Sequence, residues 1–227
     1  MKLTKKLLAL VFTIMLLLSS SVFAQSFEDH YAPTTFALDF FNVRLENFQL
    51  IKNYTWKQSA HLKIDNKDIV TILKNYSITA EGEFVFDNVS LEKHKAGSEY
   101  SEGDIEENKR YVGQLITTFW DYLFLSKGQF VDFFDDVDLY EYNDSLITVS
   151  SPNILQFNDR VTMVIDKNTL LLYKVILEMD VDEERVKSIC IYGREKDGAN
   201  HLVSQTTEVP GRKMAISVKN SEYKKTE

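Results

Sequence analysis

Four histidines, one cysteine and two runs of acids are the side chains on which chemistry could be built, and their spacing decides what kind. His30, His61, His94 and His201 stand far apart, and no HxxxH or CxxC pair puts two ligands on one helical face or loop, as a locally written metal site requires. Without a second signal they read as surface or loop histidines. Cys190, between Ile189 and Ile191, reads as a small buried hydrophobe and has no histidine or basic neighbour to activate it. The runs Asp132, Asp135, Asp136, Asp138 and Asp180, Asp182, Glu183, Glu184 lack the ordered oxygen ligands and turn glycine of a calcium loop, so they read as solvated turns. There is no Gly-rich phosphate loop, GxSxG elbow or kinase-like set. The expectation is a protein that is not an enzyme and uses no metal or cofactor. A hydrolase assembled from distant carboxylates and His61 or His201 is the weakest alternative.

Charge and export narrow the partners. Lys2, Lys5 and Lys6 precede an apolar run from Leu7 to Leu18, then Ser19, Ser20 and Ser21, with Val22 and Ala24 at the small-residue positions of a cleavage site. Residues 1–24 are therefore expected to be a signal peptide, and residues 25–227 a single domain. The apolar run is shorter than the roughly 17 to 25 residues a membrane helix needs, and no cysteine lies near the cleavage point to carry a lipid. The expectation is a soluble periplasmic or secreted protein with no stable membrane anchor. The formal charge of −8 becomes more negative once the three lysines of the leader are gone. Nucleic acid and anionic headgroups select clustered Lys and Arg, so nucleic acid is not an expected partner. Asn53, Asn75, Asn88 and Asn143 begin Asn-x-Ser/Thr sequons, which matter only in a eukaryotic secretory route, whereas the short Lys-rich leader has bacterial character. A lone cysteine excludes an intramolecular disulfide framework.

The elements that must position these residues follow from hydrophobic period. Phe36 to Ile51 mixes helical spacing with a dense aromatic face behind Pro33, Thr34 and Thr35, and predicts a first helix. From Tyr54 the period changes to two, with Tyr54, Trp56, Ala60, Leu62 and Ile64 on one face, and Asp65 to Asp68 reads as a turn. Strands follow over 69–79 and, after a turn at Glu81-Gly82, from Phe84 to Leu91. The stretch 93–107 is polar with Gly97 and Gly103 and reads as an exposed loop. Tyr111, Val112, Leu115, Ile116, Phe119, Trp120 and Leu123 recur at threes and fours, which predicts an amphipathic helix. A shorter helix is expected around Phe130 to Phe134. The remainder alternates in seven runs separated by short turns, so the sheet is antiparallel. The fold class is α+β: about ten strands in a strongly curved antiparallel sheet, an incomplete barrel covered by two or three helices.

This order of elements resembles the LolA-like, lipoprotein-carrier superfamily, in which helices plug a curved antiparallel half-barrel. The resemblance rests on a first helix running into the strand Tyr54 to Lys63, on Val164 to Val175 with its Asp166-Lys167 turn, and on the closing strands His201 to Glu208 and Met214 to Tyr223. The chain is also similar to bacterial exported proteins with a Tyr-Ser/Thr-Trp strand and a Val-Thr-Asn-Ser-like ending. The resemblance implies a cavity for an acyl chain or another apolar ligand.

Aromatic residues make up 12% of the chain. Most are expected in the core, but a curved sheet under short helices leaves an apolar hollow. Trp56, Leu62, Phe84, Phe86, Phe119 and Trp120 are the expected ligand-binding residues. A dozen buried methylenes supply roughly 10 kcal/mol before an association cost of several kcal/mol, enough for micromolar binding with no charged contact. The expected function is non-enzymatic binding of a lipid or an acylated protein in cell-envelope lipid or lipoprotein handling. The alternative is a structural or protein-interaction module of the envelope, marked by a solid core and a large exposed apolar patch. Oligomeric state is not written in the sequence.

Overall fold

The computed structural model describes residues 33–79, 84–94, 102–123, 127–135, 137 and 139–226. The expected leader, residues 1–24, lies outside them, as does the turn expected at Glu81-Gly82. Helix α1 (Pro33–Ile51) opens with a proline, whose missing N–H is one the first turn would leave unpaired anyway. Phe36, Phe40, Arg44, Asn47 and Ile51 recur at steps of three and four, and all are buried.

Strands β1 (Tyr54–Ile64) and β2 (Lys67–Ile78) are joined by Asp65-Asn66. Both turn residues hold positive φ, 50° and 62°, the left-handed pair that matches the twist of a two-residue hairpin. β3 (Phe84–Lys93), α2 (Glu102–Leu123) and α3 (Lys127–Asp135) come next. Then follow β4 (Leu139–Tyr142), β5 (Leu146–Pro152), β6 (Arg160–Asp166), β7 (Leu172–Val181), β8 (Glu184–Arg194), β9 (Asn200–Val209) and β10 (Met214–Lys225). Asp182 and Glu183, from the second acidic run, make the β7–β8 turn with the same left-handed backbone, at φ 52° and 65°. The helix expected from Tyr111 begins earlier, at Glu102, inside the stretch expected to be a loop. Its first two turns carry no apolar stripe, so periodicity misses them, although Glu, Lys and Arg are good helix formers. Among the described residues no helix is long and apolar enough to cross a membrane.

The ten strands of the described residues form one antiparallel sheet in the order β3-β2-β1-β10-β9-β8-β7-β6-β5-β4. It is curved and open, with three helices against it. Every neighbour but one is consecutive in sequence. The exception is β10, which lies between β9 and β1 and carries the hairpins of β1 to β3 onto the rest.

Polar ties, two of them centred on Asn200 and Asp159, hold the helices down. Asn47 of α1 donates from Nδ2 to the Asn200 carbonyl at 2.8 Å and accepts the Asn200 N–H at 2.8 Å. Asn200 in turn donates to the carbonyls of Leu172 and Gly193. At the end of α2, the Tyr122 hydroxyl donates to Asp159 at 2.6 Å, and the same carboxylate accepts the N–H groups of Ile154, Leu155 and Gln156. Between these ties α1 and α3 interlock ring on ring: Phe36 on Phe134 at 5.3 Å, Phe40 on Phe130 at 5.5 Å and Phe41 on Phe130 at 5.8 Å. Asn47→Ala strips partners from the buried N–H and carbonyl of Asn200 and is expected to lower stability by about 2–4 kcal/mol. Urea unfolding checks this, and an unchanged midpoint would remove the tie from the account.

Candidate binding site

The register of the sheet defines two faces. One row of directly paired residues runs Ile72, Ala60, Val218, Gln205, Cys190, Val175, Met163, Val149 across β2, β1, β10, β9, β8, β7, β6 and β5. The last four are buried, whereas the first four are only half-buried. A second row behaves alike: Val70, Leu62 and Ile216 are half-buried while Thr207, Ser188, Leu177, Val161 and Ser151 are buried. One inner face therefore spans the sheet. It is fully covered over β5 to β8 and partly covered over the wing formed by β10, β1 and β2.

Burial pushes the thiol of Cys190, on the covered half, up to about 12, so it is a core side chain rather than a nucleophile.

The wing ends in an aromatic ladder on the same inner face. Trp56 stacks on Tyr76 at 5.8 Å and on Tyr223 at 5.6 Å, and Tyr76 meets Phe86 at 6.0 Å. His201 continues the ladder on β9, its ring 3.8 Å from that of Tyr223 and its Nε2 3.1 Å from Glu195. Burial pulls His201 below the ordinary imidazole value against the attraction of Glu195. Lys74 shares the face: it pairs across β1 with Gln58, and its ammonium lies 5.0 Å from the Phe86 ring centre. Burial lowers it from 10.5 to about 8.

The outer face of the wing is mostly polar, with Leu73, opposite Ser59, standing 48% exposed on it. The strand pairing brings together two histidines that the sequence leaves 33 residues apart, which local spacing could not reveal. The Thr71 hydroxyl lies 3.0 Å from His61 Nδ1 and 2.8 Å from His94 Nε2, while Ser59 Oγ lies 2.8 Å from His61 Nε2. Among the described residues no three or more His, Cys, Asp or Glu side chains group as metal ligands.

At the other end of the outer face a cleft of about 290 Å³ opens beside Lys57, Asn75, Asp87 and Glu222, with Trp56, Tyr76 and Phe86 also in its wall. Lys57 and Glu222 form an ion pair at 2.7 Å, and the ammonium holds the Glu222 carboxyl below the usual carboxylate range.

The six expected ligand-binding residues fall in three places. Trp56 and Leu62 lie on the inner face of the wing and Phe86 continues that face on β3, with Trp56 buried and the other two half-buried; Trp56 and Phe86 also touch the cleft. Phe119 is buried on α2. The side chains of Phe84 and Trp120 lie outside the described ones. Lys74 and the inward-facing β10 residues Ile216 and Val218 were not among the expected set. Alternation within Met214 to Asn220 is the signal that could have found the latter two.

The class defined so far is an open antiparallel half-barrel, helix-filled on one half and partly uncovered on the other. No protein-family model matches the chain, and no curated protein matches it. Among solved structures it is similar to a DUF1329 family protein from Desulfovibrio piger, at a TM-score of 0.42 and 10% identity over 85% of this chain and 91% of that one.

The Lys74 ammonium gives this face a pH signature. Its folded pKa lies below the unfolded one, so folding disfavours the charged form, and stability falls as pH drops from 10.5 through about 8. Lys74→Met is expected to raise stability at neutral pH by about 1–2 kcal/mol, discounted for the solvent that reaches the group. The gain should vanish above the unfolded lysine value. Thermal melts at both pH values check this, and an equal gain at both would contradict it.

Proposed function

We propose that this chain is an exported, non-enzymatic binding protein that shelters the apolar part of a lipid or acylated protein against the inner face of the β10-β1-β2 wing. The observation behind the reading is the fall in burial along each inner row, from buried over β5 to β8 to half-buried at Ala60, Leu62, Val70, Ile72, Ile216 and Val218. A row of aliphatics left half-wet on a concave face is surface that an apolar ligand would cover. Lys74, on the same face, supplies a cation for a carboxylate or headgroup at the ligand's polar end. The interlocked rings of α1 and α3 favour a ligand laid along the wing over one inserted beneath those helices. Helix, meander, helices and meander follow in the order that the lipoprotein-carrier resemblance implies. The leader-like segment at residues 1–24 supports a periplasmic or secreted location.

Protein purified from its native host is expected to carry an acyl lipid detectable by native mass spectrometry, and both Leu62→Glu and Val218→Glu should lose it while keeping a cooperative unfolding transition. Absence of any bound lipid, together with no uptake of a fluorescent fatty acid, would overturn the reading.

A further inference from the structure

Two kinks of one design flank the outer-face cleft. Between β1 and β10 the register slips so that Glu222 and Tyr223 both stand opposite Trp56. Between β2 and β3 it slips so that Asn88 and Val89 both stand opposite Lys74. Each is a two-against-one bulge, and each holds a non-glycine residue in left-handed backbone, Glu222 at φ 55° and Asn88 at φ 48°. Bulges of this form normally place glycine there. Left-handed backbone costs on the order of 1–2 kcal/mol per residue for most side chains, though asparagine tolerates it. Strained positions of this sort cluster where a surface is shaped for a ligand. The row Lys57–Asn75–Asp87 lies between the two bulges, and the cleft opens on it.

We propose that this cleft is a second binding site, for one or two rings of a neutral sugar. The lining chooses the class by elimination. Its two lysines, Lys57 and Lys224, are matched by two carboxylates, Asp87 and Glu222, so neither an anion nor a cation meets a surplus of opposite charge. Amide and hydroxyl groups from Asn75, Thr55 and Ser77 and the four charged groups are interleaved with Trp56, Tyr76, Val85 and Phe86, a mixed lining that would leave polar groups unpaired against an acyl chain. A ligand whose every hydroxyl both donates and accepts can use carboxylate, ammonium, amide and hydroxyl together. Val85, 45% exposed, offers an apolar contact for the C–H face of a ring. The volume, about 290 Å³, is at the low end of small-molecule sites. The Lys57–Glu222 ion pair and the Asn88-to-Asp87 hydrogen bond at 3.0 Å set the side chains before any ligand arrives.

The cleft opens on the outer face and shares Trp56 and Phe86 with the lipid surface, but Leu62, Ile216 and Val218 do not line it, so the two readings can fail separately. Isotope-labelled protein is titrated with cellobiose, maltose, chitobiose and galacturonic acid and followed by heteronuclear NMR. At least one neutral disaccharide is expected to shift the amides of Lys57, Asn75 and Asp87 saturably, more tightly than the charged sugar. Asn75→Ala should weaken that binding about tenfold with unchanged circular dichroism, and Leu62→Glu should leave it intact. The proposal is overturned if no neutral sugar saturates, if galacturonic acid binds best, or if Asn75→Ala binds as the wild type does.

Discussion

The pairing of the last strand with the first is the constraint on which both faces of the wing depend. β10 runs against β1 from Ile64 and Met214 to Tyr54 and Lys225, and without it β1 to β3 would be a three-stranded meander with no neighbour. Connections of only two to seven residues set the other registers nearby in sequence. This one must be set across more than 150 residues, where closing the loop is entropically costly and a one-residue slip would turn every side chain to the wrong face. Side chains fix it. Gln58 donates to Asn220 at 3.1 Å in a buried pair, Asn220 donates onward to the Leu202 carbonyl, and the Tyr223 hydroxyl reaches the same oxygen at 2.9 Å. Three strands are thereby locked in phase at the point where Trp56 enters the ladder.

From that seam the two faces acquire opposite chemistry by alternation alone. Ala60 and Leu62 point inward beside Val218 and Ile216, while Ser59 and His61 point outward beside Lys219 and Ser217. The helices are anchored elsewhere, through Asn200 and Asp159, so their cover thins over the wing. What is greasy on the wing is therefore not sealed, and what is polar on it is organised. The bulge at Glu222 belongs to both faces at once, because it places Tyr223 in the aromatic ladder and Glu222 at the cleft.

Much of this was legible in the sequence. Strict alternation from Tyr54 to Ile64 and in the runs after Leu139 marks the strands, since a half-buried strand has no other way to satisfy both faces. The curved α+β architecture follows from their number and short turns. The first two turns of α2 escaped because a solvated helix start has no apolar period. The bulges escaped because neither Glu222 nor Asn88 is glycine, the residue that normally flags such a turn. The meeting of His61 and His94 depends on the register of three strands, and the thin cover over Leu62 depends on where the helices are tied. Neither quantity is local, so no window of sequence contains it.

The bulge at Asn88 has a further consequence at the rim of the sheet. β3 is the outermost strand on its side, and Val85 and Val89 on it are about half exposed, a combination that invites another chain to add on. A left-handed residue between them breaks the ribbon into two short pieces out of phase with each other, so an incoming strand can match one piece but not both. The same kink that hollows the outer face thus leaves the rim a poor template for an added strand.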